Sequence, residues 1–331
     1  MKKLLNIIKN NITFIIFLVV TYFILSFELP YYIEAPGGLI NLKDRYEIKD
    51  SYQVKGSINM TYVKEYKATL ETMIISKLNK DLDIYKKNEV LPSNITEEEN
   101  EFLGEMMLKE ASSNAIINAY KKANKEYKIV EEKLYVTYIY KEANTNLEIK
   151  DEIKSIDGVK VNNKEEIYKI IKEKKINDKI NIKVINDNKE YNRYAYILKD
   201  NIIGIIVTSD KNIITTPNIK INYKNNEYGS SGGLMTTLSI YSKLIDYDIT
   251  KGYIISGTGT IDENGNVGEI DGVKYKLKGA VKEGAHIFLV PSKDNYEEAI
   301  KIKKENNYNI EIVEVKTFDD AINYLNKLKK R

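Results

Sequence analysis

The run Tyr228-Gly-Ser-Ser-Gly-Gly-Leu-Met-Thr-Thr-Leu238 sets Ser231 among Gly229, Gly232 and Gly233. Ahead of it Ile219, Ile221 and Tyr223 alternate with Lys220, Asn222 and Lys224, the period of a strand. Behind it Leu234, Leu238, Tyr241 and Ile245 form one apolar stripe at helical spacing. Ser231 thus stands where a strand turns into a helix. Glycine permits such a turn and lets a second chain come close. The helix N-terminus adds unpaired N–H groups and partial positive charge, which suit an oxyanion. A Gly-Ser cluster is also an ordinary turn, so the serine acquires chemistry only if a base comes with it.

Two bases are on offer. The spacing fits the Gly-x-Ser-x-Gly elbow of α/β-hydrolases, which needs a histidine. The sole histidine, His286, lies in Ala285-His-Ile-Phe-Leu-Val-Pro291, a buried strand by pattern and a poor place for a mobile base. The other candidate follows a hairpin signal at Asn264-Gly265. Asp271-Gly-Val-Lys-Tyr-Lys-Leu-Lys-Gly-Ala-Val281 reads as a helix with Val273, Leu277, Ala280 and Val281 inward. Lys274, Lys278 and Lys282 run along one solvated edge. Lys276 stands on the other flank beside Gly272, Gly279 and Ala280, where small side chains admit close packing. Burial there would lower its pKa from about 10.4. A neutral amine can take a serine proton.

Gly229-Ser-Ser-Gly-Gly233, Ser256-Gly-Thr-Gly-Thr260 and Asp271-Gly-Val-Lys-Tyr-Lys276 together resemble the proteolytic domain of Lon-type Ser-Lys proteases, over about residues 201–331. Within that family the chain looks most like the membrane-anchored, PDZ-containing Lon-like proteases of the YlbL type, through Asp248-Ile-Thr-Lys-Gly-Tyr-Ile-Ile-Ser-Gly-Thr-Gly-Thr-Ile-Asp262. The resemblance implies Ser231 as nucleophile and Lys276 as base. It implies supporting places for Gly232 and for Ser256, the latter where the family has a threonine that orients the lysine. Three positions depart from the family pattern: Ser230 replaces a proline, Gly232 an alanine and Asp271 a glycine. Asp271 matters most, because a carboxylate near the lysine favours its charged form.

These residues must be held by the rest of the chain, whose 331 residues suffice for two or more cores. Its 51 basic and 48 acidic side chains nearly cancel, so no strong field points to nucleic acid. There is no cysteine, hence no catalytic thiol, and a single histidine excludes zinc-protease motifs. Neither a P-loop nor a complete dinucleotide fingerprint occurs, so no nucleotide or other cofactor is expected. Asp262-Glu-Asn-Gly-Asn266 reads as a hairpin turn, not a calcium loop.

Lys2, Lys3 and Lys9 precede an apolar run that starts at Ile12, and no Lys or Arg occurs from residue 10 through 42. Residues 12–29 are expected to be a transmembrane anchor, with 1–11 cytoplasmic and the remainder outside, in a bacterial cell membrane. No small-x-small cleavage site follows the apolar run. Residues 30–124 contain strand-like pieces and, from a Thr96-Glu-Glu-Glu99 capping box, a long helix. Its Met106–Ala115 stretch resembles the helix that precedes the nucleophile segment in Lon domains, which implies a proteolytic fold split by an insert. Residues 125–200 read as that insert: strands near 134–140 and 151–156, a helix with Ile167, Ile170 and Ile171, then a hairpin. Leu147-Glu-Ile-Lys-Asp-Glu-Ile-Lys-Ser-Ile-Asp-Gly-Val-Lys-Val161 resembles the core of bacterial PDZ domains. The remainder, 201–331, alternates strand and helix to its end, an α/β order. The expected whole is a Lon-type α/β (α+β) proteolytic domain with an inserted PDZ-like domain. It would be an ATP-independent serine endopeptidase whose partners are a protein or peptide substrate and the bilayer. The alternative is an inactive peptide-binding scaffold on the same fold.

Overall fold

The computed structural model describes residues 10–91, 94–222, 224 and 227–331. Lys2, Lys3, Lys9 and Tyr223 lie outside the described residues, as does all but the end of segment 1–11. The apolar run folds as α1 (Ile12–Leu25), none of whose residues is buried. Its 14 residues rise about 21 Å, less than the ~30 Å hydrocarbon core. No described helix is long and apolar enough to cross a membrane. The expected span over 12–29 stops short because β1 (Glu28–Asn41) begins at once, with Glu28 already paired to Thr69.

Strand β1 belongs to a six-stranded sheet that draws on both ends of the chain. After the short β2 (Tyr46–Ile48) come β3 (Ser57–Thr69), helix α2 (Leu70–Leu78), β4 (Asp83–Lys86), the one-turn α3 (Lys87–Val90) and the long α4 (Glu97–Lys122). The last begins at a capping box: Thr96 Oγ1 accepts from the Glu99 amide while the Thr96 amide donates to Glu99.

The insert then runs through β5 (Glu126–Ile139), β6 (Glu152–Ile156), β7 (Val159–Lys160), α5 (Lys164–Lys172), β8 (Lys179–Asn186), β9 (Lys189–Tyr196) and β10 (Ile205–Thr216). It forms an antiparallel sheet in the order β10-β5-β6-β8-β9, with β7 on β6. Its core is its own: Ile180, Ile182 and Val184 point inward from β8 at period two to meet Ile167 and Ile171 of α5. Strand β10 pairs with β5 from Ile205↔Ile139 to Thr216↔Glu126. The sheet of this segment therefore takes in β10, beyond residue 200. Lys211 of β10 is buried, 3.9 Å from Glu132 of β5 and ion-paired to Glu263.

Beyond the insert lie β11 (Ile219–Ile221), which pairs with β2, and α6 (Gly233–Leu244). Next come β12 (Ile254–Gly257), the hairpin β13 (Thr260–Ile261) and β14 (Val267–Gly268), and α7 (Val273–Lys282). Glu263 sits in that hairpin's turn. The chain finishes with β15 (Ile287–Pro291), α8 (Asp294–Asn306), β16 (Glu311–Val315) and α9 (Phe318–Lys327). The large sheet has the order β16-β15-β12-β3-β1-β4, its first four strands parallel and β1 antiparallel to both neighbours. All five residues of β15 are buried, as a parallel strand covered on both faces requires. Ile287 and Leu289 pack toward α6 and α9, while Phe288 and Val290 pack toward α7 and α8.

Candidate active site

The turn carrying Ser231 is tied down on two sides. Its carbonyl accepts from the Gly259 amide at 2.7 Å and from Thr258 Oγ1 at 3.1 Å. The Gly229 amide donates to the Gly104 carbonyl of α4 at 2.9 Å. Leu234, in the first turn of α6, donates to the Gly259 carbonyl at 3.0 Å. Every residue of α6 except Lys243 is buried, so the helix that follows the serine is fixed in the core. Among the described residues the Ser231 and Gly232 amides have no acceptor, which leaves them available at the helix start. A Cβ on Gly232 would lie 2.9 Å from Met60 Sδ, the far part of a flexible side chain, so an alanine could be accommodated there.

Lys276 comes from α7. Gly272, the N-cap, has φ +73°, a left-handed value that glycine adopts without strain. About two turns further, a Cβ on Gly279 would sit 3.0 Å from the Gly38 amide nitrogen, so the helix lies almost backbone to backbone on β1. That close approach buries Lys276, which is 5% exposed. Its neighbours differ: Lys274 is ion-paired with Asp83 and Lys278 with Asp81. The Lys276 side-chain amine makes no ion pair or hydrogen bond among the described residues. Loss of water pulls its pKa down to about 8, against the opposing pull of Asp271 and then Glu34. Asp271 is exposed. Glu34 on β1 is half-buried, and desolvation raises its carboxyl above the ordinary range.

Ser231, Gly232, Lys276 and Glu34 line one cleft of about 980 Å³, with Met60 and Leu103 among its apolar walls. One supporting residue is placed elsewhere. Ser256 is fully buried on β12 and donates to the Ile287 carbonyl at 2.8 Å, so its hydroxyl serves the strand and not the lysine. Thr258, two residues on, is the hydroxyl that reaches the Ser231 turn. No motif singles it out in the sequence; the period-two step from Ser256 is the signal that could have found it. His286 accepts the Ile254 amide on Nδ1 at 2.9 Å and meets Tyr253 edge to face. Burial, then Arg331, lowers its pKa, and it does not line the cleft. Among the described residues no group of three or more His, Asp or Glu converges as a metal site.

A serine at a tight turn before a buried helix, with an unpaired buried lysine on the same cleft, has the parts of a Ser-Lys hydrolytic centre. Residues 219–327 match the model of the Lon protease (S16) C-terminal proteolytic domain. The Lon protease of Campylobacter jejuni is 34% identical over 124 residues, covering 36% of this chain and 15% of that protein. The chain thus spans about 15% of the length of the curated relative it matches. Residues 219–327 are thus similar to a Lon-type proteolytic domain, which supports a serine-type peptidase.

Proposed function

We propose that the chain is an ATP-independent serine endopeptidase in which Ser231 is the nucleophile and Lys276 the general base. The observation that carries this is the buried, counter-ion-free Lys276 on the Ser231 cleft, within the segment that matches the Lon proteolytic domain. The neutral amine takes the Ser231 proton as Oγ bonds to the scissile carbonyl carbon. The Ser231 and Gly232 amides hold the tetrahedral oxyanion. On its collapse the C–N bond breaks and the Lys276 ammonium returns a proton to the leaving amine. Water then cleaves the acyl-enzyme with the same amine as base. An inactive scaffold would rest on Asp271, yet Lys276 is held near 8 with Asp271 in place, and Asp271 is exposed.

The insert is read as a PDZ-like domain that selects or gates substrate by adding an extended peptide to a sheet edge. The exposed apolar surface of α1, with Phe14, Phe17 and Phe23 each at least 60% exposed, supports attachment to a lipid bilayer. The lysines before it and their absence through residue 42 support an extracytoplasmic catalytic region in a bacterial membrane.

A fluorophosphonate probe tests the chemistry. We expect labelling of Ser231 that Ser231→Ala abolishes and Lys276→Met reduces. Labelling that persists in folded Ser231→Ala, or a wild-type protein that neither labels nor cleaves an unfolded protein substrate on prolonged incubation, would remove the proposal.

A further inference from the structure

Helix α2 is built the wrong way round for a helix in water. Its one buried residue is Ser76, whereas Leu78 is 85%, Ile74 57%, Ile75 45% and Leu70 37% exposed. Leu70, Ile74 and Leu78 recur at four-residue steps and form one stripe, with Ile75 alongside. A surface helix ordinarily shows the opposite arrangement.

The pairing of β1 with β3 fixes where this stripe lies. Glu28, three residues beyond the end of α1, is the register partner of Thr69, which is the N-cap of α2. Paired strands are about 4.8 Å apart, so α2 starts at the level where α1 ends, and the two helices touch. Tyr22, Phe23 and Phe27 mark the same level and are each at least 67% exposed. Lys77 and Lys80 border the stripe and form no ion pair among the described residues. Apolar side chains, aromatic rings and free lysines at one depth match the layers of a bilayer surface.

We propose that α2 is a second membrane contact, laying Leu70, Ile74, Ile75 and Leu78 into the head-group region of the bilayer that α1 enters. This rests on the reading of α1 as a membrane attachment. The two contacts hold the proteolytic domain in one orientation to the lipid, where α1 alone would leave a swivel. Tethered at both places, β1 and the cleft it borders keep a fixed height above the membrane.

The absence of cysteine makes the test direct, because single cysteines can be labelled with an environment-sensitive fluorophore. Full-length Phe17→Cys, Ile74→Cys, Leu78→Cys and Lys55→Cys would be reconstituted in vesicles of phosphatidylcholine with a minority of phosphatidylglycerol. Blue-shifted emission is expected at 17, 74 and 78, with quenching by a shallow doxyl lipid at 74 and 78. The label at 55, exposed just before β3 at the end away from Thr69, should report water. Lipid at 17 with water at 74 and 78 overturns the second contact and leaves the anchor standing. Water at 17, 74 and 78 overturns both. Cross-linking of two copies through Leu78→Cys without lipid quenching assigns the stripe to self-association and likewise overturns the proposal.

Discussion

Two lysines of this protein are almost equally hidden from water, and their surroundings make them opposites. Lys211, 8% exposed, lies on the seam between the insert's β5–β10 ribbon and the β13–β14 turn, with Glu132 and Glu263 beside it. Lys276, 5% exposed, lies on α7 where that helix packs against β1, with no carboxylate at ion-pair distance among the described residues. Burial disfavours an ammonium in both places. At Lys211 two carboxylates offset that cost, and the group joins two parts of the fold. At Lys276 little offsets it, so the proton is loosely held and the free amine is within reach near pH 8. Burial of a lysine is therefore no sign of a base until its counter-ions have been counted.

The contrast breaks most sharply under exchange for methionine, which keeps most of the volume. Lys276→Met should lower kcat by about 10²- to 10⁴-fold, the usual worth of a general base, with little change in the urea midpoint. Wild-type kcat/KM should rise tenfold per pH unit below about 8 and level off above it, since the base must be neutral. Lys211→Met should do the reverse. It strands Glu132 in a dry place and should lower stability by about 1–3 kcal/mol, less than a fully buried pair because Glu263 is half exposed. Its kcat should persist at temperatures where it stays folded. If Lys211→Met is inactive yet as stable as wild type, the division between the two lysines fails.

Ser256→Ala should cost about 0.5–1.5 kcal/mol in denaturant unfolding, from the lost bond to the Ile287 carbonyl. Its pH–rate curve should not move, because that hydroxyl does not meet the lysine. Asp271→Asn and Glu34→Gln should have the smallest effects. Each removes a carboxylate that favours the ammonium, so each should displace the rising limb of the pH–rate curve to lower pH. A displacement to higher pH in either variant would contradict the assignment of both carboxylates as stabilisers of the ammonium.

Much of the fold was legible because local rules were obeyed. The 264–265 turn, the Thr96 cap and the strands and hairpin of the insert appear where their residues put them. The burial of Lys276 could be read from Gly272, Gly279 and Ala280, since only small residues admit a backbone so close. Other features depend on partners distant in sequence. Nothing near Glu34 says that β1 will border α7, and the alternation in 205–216 does not say which sheet it joins. The apolar run ends early at Leu25 because Glu28 pairs with Thr69, forty-one residues on. Ser256 and Thr258 share a strand-like stretch, and which hydroxyl reaches the serine turn depends on where β12 ends, at Gly257.

Glu126 and Thr216 are register partners at the foot of the β5–β10 ribbon. The chain therefore departs from the proteolytic layers and returns to them at a single doorway one residue pair wide. To those layers, everything between these residues is topologically one long hairpin loop. Closing so long a loop costs only slightly more than closing a short one, because the entropy grows with the logarithm of length. A module hung from such a doorway can be exchanged, shortened or acquired without rethreading the layers on either side of it.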